Sequence, residues 1–447
     1  MLLRPFQNIR PCSSFLRSLS SGIQDVFFGL DKDPDRLSVA AKVVIQEYWN
    51  GNEASRTGLL TKLAQDCGVR HEALTNAIHL YSKQNPAMVH EVQAASCPVH
   101  YHLLRSVGNQ MNGIKLVCEM RADLLALIKT TGDKQLVSSL RRLEESARDL
   151  LTTWFCLSNL KLNRLTWQSP GDILHKIAEY EAVHPVRGLV DFRTRIGPLR
   201  RCFYFTHEAM PREPLVMIHV ALMKKIGDSV QEIVSGRASS GSEDEQTTAI
   251  YYSITSTQKG LAGIDLGNLL IKQVAAQITR EVPLVQIHST LSPMPGFRSW
   301  LIRGLKGHSE FDYFVDEKIL SLLSKTTASS LSRGKGTDLL LQAISNEKIV
   351  PSQLEPLREL LLHFAARYLY ESKRNGFAIN PVANFHLRNG AELYRLNWLA
   401  DTSFRGISNS LGIMVNYRYY LDRVAQNSAA YTHQKIIQAD QQILSLL

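Results

Sequence analysis

The chain has little that would mark a membrane-spanning, secreted or metal-dependent protein. No apolar run approaches the roughly eighteen residues a membrane span needs. The longest candidate, residues 215–223, is short and contains His219, so it reads as a buried strand. Six cysteines (Cys12, Cys67, Cys97, Cys118, Cys156 and Cys202) are spread thinly, with no C-x-x-C pair and none in the second half. That pattern argues against a zinc site and a secreted disulfide framework, and predicts free thiols. The net charge is +10, yet there is no long Lys/Arg block and no recognised nucleic-acid motif. A diffuse solvated surface and a local anion pocket are the readings that remain; nucleic-acid binding is not expected.

Catalytic signatures also fail on inspection. His71-Glu72, His90-Glu91 and His207-Glu208 begin like H-E-x-x-H, but the fifth positions are Thr75, Ala94 and Pro211. His100 and His102 alternate without enough further ligand candidates nearby, so no metal site is expected. Gly334-Lys335-Gly336 resembles part of a P-loop, but Gly336 stands where Ser or Thr must reach magnesium, and no strand precedes it. There is no G-x-S-x-G elbow and no internal repeat.

What is present divides along the chain. At 447 residues there is length for two or three domains, and 44% hydrophobic with 21% charged residues suits a globular protein. The first 24 residues carry Arg4, Arg10 and Arg17, several serines, no acid and interleaved apolar residues. That fits a mitochondrial presequence better than a secretory signal; a disordered basic terminus is the alternative. Residues 25–160 read as an all-helical domain. Leu136, Leu140, Leu143, Ala147, Leu150, Leu151 and Trp154 mark one face of a helix over 136–157, and 55–65 and 71–81 are similar. Such stripes must be buried, in a bundle or against another subunit. From 161 onward the pattern turns mixed. Residues 201–207 and 215–223 read as a hairpin, 235–248 as a flexible polar surface loop, 324–336 as a connector and 354–373 as a long helix. Residues 377–421 mix Asn, Gly, Arg and aromatics, which predicts irregular structure packed around a site.

Residues 249–297 are the most informative. They read as strand, glycine loop, helix, strand and proline-rich turn: β-branched and aromatic residues over 249–256, then Gly260, Gly263 and Gly267, an apolar-periodic helix to about Thr279, and a second strand over 284–291. Glycines between a strand and a helix bare backbone N–H groups at the helix's positive end, which suits a phosphate. The predicted ligand is phosphate-bearing, beside a split pair of parallel strands. Residues 257–263 resemble the coenzyme A loop of acetyltransferases of the GNAT type, with Thr257 or, one register on, Gln258 at the usual Gln/Arg place.

Longer stretches make the resemblance specific. Residues 181–191, 197–203, 252–267, 291–297, 380–390, 396–400 and 404–420 together resemble the malonyl-CoA decarboxylase family over nearly the full length after the presequence. The resemblance implies an α+β fold: an all-helical N-terminal domain mediating a homotetramer, then a GNAT-like mixed α/β catalytic domain over 161–447. It implies that malonyl-CoA is split to acetyl-CoA and carbon dioxide, a step of fatty-acid metabolism, with no cofactor, since CoA belongs to the substrate. It places the catalytic serine on Ser292 (polar partner or proton acceptor) and the catalytic histidine on His386 (proton donor). The malonyl-CoA-binding positions fall on Ala262, Gly263, Ile264, Asp265, Leu266, Gly267 and Asn268, beside Gly260. From the residues alone, Ser292 reads first as a turn serine before Pro293 and His386 as a satisfied, partly buried histidine, while Lys259 is equally a phosphate partner or solvated. A GNAT-type acyltransferase and a non-catalytic helical scaffold are the other function classes. The mitochondrial matrix is the expected compartment. A cytosolic or peroxisomal pool stays open, although the terminal Ser445-Leu446-Leu447 is not the Ser-Lys-Leu address.

Overall fold

The computed structural model of the protein describes residues 34–81, 88–237, 240–307, 333–346 and 348–447. The presequence expected over 1–24 lies outside them. The chain forms two compact units: one takes the residues up to Lys161 with 205–216 and 256–266, the other takes 162–204, 217–255 and 267–447.

The first unit is built on seven helices among the described residues: α1 (Pro34–Asn50), α2 (Glu53–Asp66), α3 (His71–Leu80), α4 (Val89–Ser96), α5 (Val99–Gly108), α6 (Gly113–Thr130) and α7 (Lys134–Trp154). Local chemistry sets their ends. Asn52 caps α2 by accepting from Ser55 N, and Asp133 caps α7 by accepting from Gln135 N and Leu136 N. The stripe read on α7 is its buried face: Leu140, Leu143, Ala147, Leu150 and Leu151 are all buried. The helix stops at Trp154, three residues before the sequence-based boundary, and a short 3-10 turn (Leu157–Asn159) follows.

The second unit holds the sheet. Its strands are β1 (Leu160–Leu165), β2 (Arg200–His207), β3 (Val216–Met223), β4 (Thr248–Ser256), β5 (Ile287–Thr290), β6 (Ser292–Pro293), β9 (Glu392–Asn397) and β10 (Met414–Tyr419), while β7 (Lys373–Arg374) and β8 (Phe377–Ala378) form a separate pair. Among the described residues the sheet has eight strands, ordered β1-β2-β3-β4-β5-β10-β6, with β9 also on β10. The expected hairpin neighbours β2 and β3 are adjacent, and every residue of β3 is buried. No helix among the described residues is long and apolar enough to cross a membrane.

Helices α8 (Gly171–Tyr180), α9 (Leu189–Arg195), α10 (Val230–Ser235), α11 (Leu266–Glu281), α12 (Phe297–Leu305), α13 (Arg333–Ser345), α14 (Arg358–Tyr370), α15 (Pro381–Arg388), α16 (Phe404–Ser410), α17 (Val424–Ala429) and α18 (Gln441–Leu444) complete the described order. Beyond residues 308–332, the connector expected over 324–336 is helical from Arg333, in α13. The polar loop over 235–248 carries a 3-10 turn, where Glu243 pairs with Arg201 and Gln246 bonds the carbonyls of Ser240 and Ser242.

Parallel pairing of β4 with β5 runs from Thr248↔Ile287 to Tyr251↔Thr290, while β4 continues to Ser256. The two strands therefore part beyond Thr290, and Ser292 pairs instead with Val415 of β10. This is the split the sequence predicts. Two readings differ. The second strand starts at Ile287 rather than 284, because Val282 to Val285 is a turn with Leu284 exposed. Residues 377–421, expected to be irregular, supply β8, α15, β9, α16 and β10. Their polar residues are internal: Asn416 is fully buried and donates to the carbonyls of Thr290 and Gly227, while its Oδ1 accepts from Asn397 and Arg395. Asparagines that satisfy one another inside a sheet erase the apolar alternation by which a strand is recognised.

Candidate active site

Ser292 lies at the point where the chain leaves its parallel neighbour. It faces the same side as Thr290, since residues two apart on a strand share a face. Its hydroxyl donates to Thr290 Oγ1 at 2.9 Å. Thr290 Oγ1 also accepts from Tyr417 N at 3.1 Å, so the threonine is fixed to the neighbouring strand.

His386 comes from α15. Asn380 caps that helix by accepting from Ala383 N at 2.8 Å, and Pro381 occupies the first turn, where its missing N–H costs nothing. The Asn380 amide also donates to Pro295 O at 3.0 Å, in the proline-rich turn after Ser292. Tyr368 OH donates to the same carbonyl at 2.8 Å. One asparagine thus fastens the start of the histidine's helix to the serine's turn.

The imidazole of His386 has Nε2 3.2 Å from Ser292 Oγ and Nδ1 2.7 Å from Tyr419 OH. It stacks on the Tyr417 ring with centroids 4.5 Å apart and planes at 25°. Ser292, His386 and Tyr419 are all buried. Because the serine's single hydroxyl proton is engaged with Thr290, the assignment that satisfies every contact has Nε2–H donating to Ser292 and Tyr419 O–H donating to Nδ1. Burial pushes the His386 pKa down to about 3, since a charged ring is poorly solvated there. At neutral pH the ring is neutral, with one nitrogen donating and the other accepting.

Gly267, in the first turn of α11, approaches the same helix. A Cβ there would come within 2.9 Å of the Phe385 ring, next to His386. Asn268 follows on α11. Gly260, Ala262, Gly263, Ile264, Asp265 and Leu266 belong to the first unit. Gly260 sits in a 3-10 turn (Lys259–Leu261) packed on α6, and a Cβ there would lie 1.8 Å from Cys118 O. Its carbonyl accepts from Arg121 Nη1 at 2.5 Å, while Nε and Nη2 of Arg121 pair with Glu144. Ala262, Gly263 and Asp265 are exposed, Leu266 is buried, and Gly263 has a φ of +77°. Thr257 Oγ1 donates to Leu215 O and Gln258 Nε2 to Pro214 O, so both candidates for the loop's opening position hold backbone. Lys259 is exposed.

Sequence reasoning missed Thr290, Tyr417 and Tyr419. A signal existed: Tyr417 and Tyr419 are two apart, as strand neighbours on one face are, but the segment was read as irregular.

Residues 158–447 match the family model described as the malonyl-CoA decarboxylase C-terminal domain, and residues 67–155 match the malonyl-CoA decarboxylase N-terminal domain. The mitochondrial malonyl-CoA decarboxylase of Anser anser anser is 39% identical over 416 residues, covering 90% of this chain and 82% of that protein. The mitochondrial malonyl-CoA decarboxylase of Mus musculus is 38% identical over 414 residues, covering 88% and 82%. Among solved structures, malonyl-CoA decarboxylase from Rhodopseudomonas palustris superposes with a TM-score of 0.78 at 31% identity, covering 94% of this chain and 99% of that one. That from Agrobacterium vitis gives 0.77 at 30%, covering 92% and 95%.

Proposed function

Because the chain belongs to the malonyl-CoA decarboxylase family of carboxy-lyases, we propose that it converts malonyl-CoA to acetyl-CoA and carbon dioxide at the Ser292–His386 pair. The observation that carries this reading is the 3.2 Å approach of Ser292 Oγ to a buried imidazole backed by Tyr419.

Breaking the bond between Cα and the carboxylate releases carbon dioxide and leaves the electron pair on Cα. The thioester carbonyl takes that pair as an enolate, so the substrate supplies its own electron sink and no cofactor is needed. A dry site favours the step, because water stabilises a carboxylate more than neutral carbon dioxide. His386 is the proton donor through Nε2–H, and Ser292 is its polar partner or proton acceptor, here as the hydroxyl that accepts the Nε2–H hydrogen bond and orients the ring. The Cα–H bond forms as the imidazole gives up that proton. Tyr419 O–H returns one at Nδ1 and water restores the tyrosine's proton, so the proton that ends on Cα comes from solvent and no charge stays on the ring or the phenol. Backbone N–H groups of the glycine loop from Gly260 to Asn268, at the start of α11, hold the CoA pyrophosphate, apart from those of Leu261, Ala262, Ile264 and Leu266, which donate to carbonyls of the turn itself. The helical domain over 25–160 serves the homotetramer. The basic first 24 residues direct the chain to the mitochondrial matrix, in keeping with the mitochondrial relatives.

The test is incubation of the purified chain with malonyl-CoA and no acceptor. Acetyl-CoA should appear, and Ser292→Ala and His386→Asn should each abolish it while CoA still binds. Turnover only with an added amine or hydroxyl acceptor would make the chain an acyltransferase. Full activity in either variant would remove the assigned pair.

A further inference from the structure

The stretches that carry the family resemblance are not exhausted by the catalytic pair. Residues 183–191, with Arg405 from the last of those stretches, also line a cavity of about 720 Å³, together with α9, α10 and Asp401. It lies on the other face of the sheet. On β4, Tyr251 shares its face with Thr290, its register partner, so Tyr252 points away from the catalytic side. Leu291, between Thr290 and Ser292, does the same. Tyr252 and Leu291 are buried in one cluster with Val230, Ile233 and Met414, and His184, which lines the cavity, packs beside the Tyr252 ring at 6.3 Å between centroids.

The cavity's chemistry is cationic and only partly satisfied. Arg187, Arg195, Arg237 and Arg405 line it against two carboxylates, Asp191 and Asp401. Arg195 is buried and committed to Asp191 through two hydrogen bonds of 2.9 Å. Asp401 Oδ1 accepts from Gln231 Nε2 and Ser403 N. The floor charges are therefore held, whereas Arg187, Arg237 and Arg405 stand exposed at the rim. Arg405 keeps Nη1 on the carbonyls of Ala182 and Val183, which fixes its guanidinium beside the opening. A planar guanidinium favours carboxylate or phosphate oxygens.

We infer that this cavity is a second ligand site, for a small organic oxyanion of the carboxylate or phosphate type, separate from the catalytic pair. The rim arginines bind the oxygens, and Val183, Val190 and Val230 pack the ligand's carbon body. The inference stands independently of the decarboxylation chemistry, because none of these residues belongs to that site.

The experiment is calorimetric titration of the full chain with sodium pyrophosphate and, separately, with succinate, at constant ionic strength. With CoA present at saturation, so that the loop proposed for its pyrophosphate is filled, saturable binding of either supports the site, and the tighter probe tells phosphate from carboxylate. The double variant R187Q/R237Q, which spares the structural bonds of Arg405, should bind that probe at least ~10-fold more weakly. It should keep wild-type turnover of malonyl-CoA, which certifies its fold. Binding should also persist in Ser292→Ala and with saturating CoA. Absence of saturable binding, equal affinity in the double variant, or displacement by CoA would each overturn the assignment.

Discussion

The hydroxyl of Tyr419 lies 2.7 Å from Nδ1 of His386, on the side of the ring away from Ser292. The imidazole is thereby clamped between two hydroxyls, and its tautomer follows from both: Ser292 spends its proton on Thr290, so Nε2 donates to it while Nδ1 accepts from Tyr419. Tyr419→Phe keeps the ring and removes that bond. We expect kcat to fall by about 10–100-fold with little change in CoA affinity, since positioned proton transfer is worth roughly 10²–10⁴. Steady-state kinetics with a separate CoA titration decides it. An unchanged kcat would take Tyr419 out of the relay.

The pH dependence of activity should lack a histidine limb in its usual place. With His386 held at about 3 by burial, kcat/KM should stay level from neutral pH down to about pH 5. A solvent-exposed catalytic histidine would instead give an inflection near 6.5. A pH–rate profile that bends near 6.5, with an imidazole NMR signal that titrates there and is missing from His386→Asn, would contradict the buried neutral ring.

Stability should respond to acid through other histidines. Burial lowers His100, His219 and His288 each to about 4, so between that value and about 6.5 the unfolded chain binds protons that the folded chain refuses. Their neutral forms therefore leave stability intact above about pH 6.5, and it is lost as pH falls towards 4, by at most about 1.4 kcal/mol per pH unit for each ring. Urea unfolding at pH 7.5 and 5.5 measures the slope. His288→Gln should make it shallower even if it lowers stability at pH 7.5, because His288 bonds Tyr251 OH and Thr279 Oγ1.

Arg121 bridges Glu144 and the Gly260 carbonyl within the first unit. Removing the guanidinium frees the glycine loop proposed to hold CoA without touching Ser292 or His386. Arg121→Gln should raise KM for malonyl-CoA by about tenfold or more, from the charge-assisted bond it removes. The rate at saturation should change by less than about threefold. Arg121→Lys should recover part of the loss. A fall in kcat with KM unchanged would show that the loop is not what Arg121 holds for catalysis.

Asn380→Ala removes a helix cap and the bond to Pro295 O in one step. A cap is worth about 1 kcal/mol and the second bond a similar amount, so a stability loss of about 1–3 kcal/mol should accompany reduced kcat. Thermal unfolding beside kinetics checks whether the two losses travel together.

Much of this was legible in the chain. The α7 stripe named its own buried face, and the order of β4, glycine loop, α11 and β5 was readable because each element declares its period or its turn chemistry locally. Ser292 and His386 were legible only through resemblance, since a serine before a proline and a histidine on an apolar helix each have an ordinary structural explanation. The strands β9 and β10 were not legible: Asn397, Asn416 and Arg395 satisfy one another inside the sheet, so the alternation that marks a strand is missing.

By itself, the order of residues determined which segments bury a stripe, where glycines expose backbone, and which family the chain joins. Tertiary structure alone decided that two side chains 94 positions apart would meet, that Tyr419 would bond the far nitrogen of the same ring, and that arginines from distant segments would ring one cavity on the opposite face. The physical reason is that periodicity fixes the face a residue takes within its own element. Its partners are chosen by strand register and helix packing, which no local window contains.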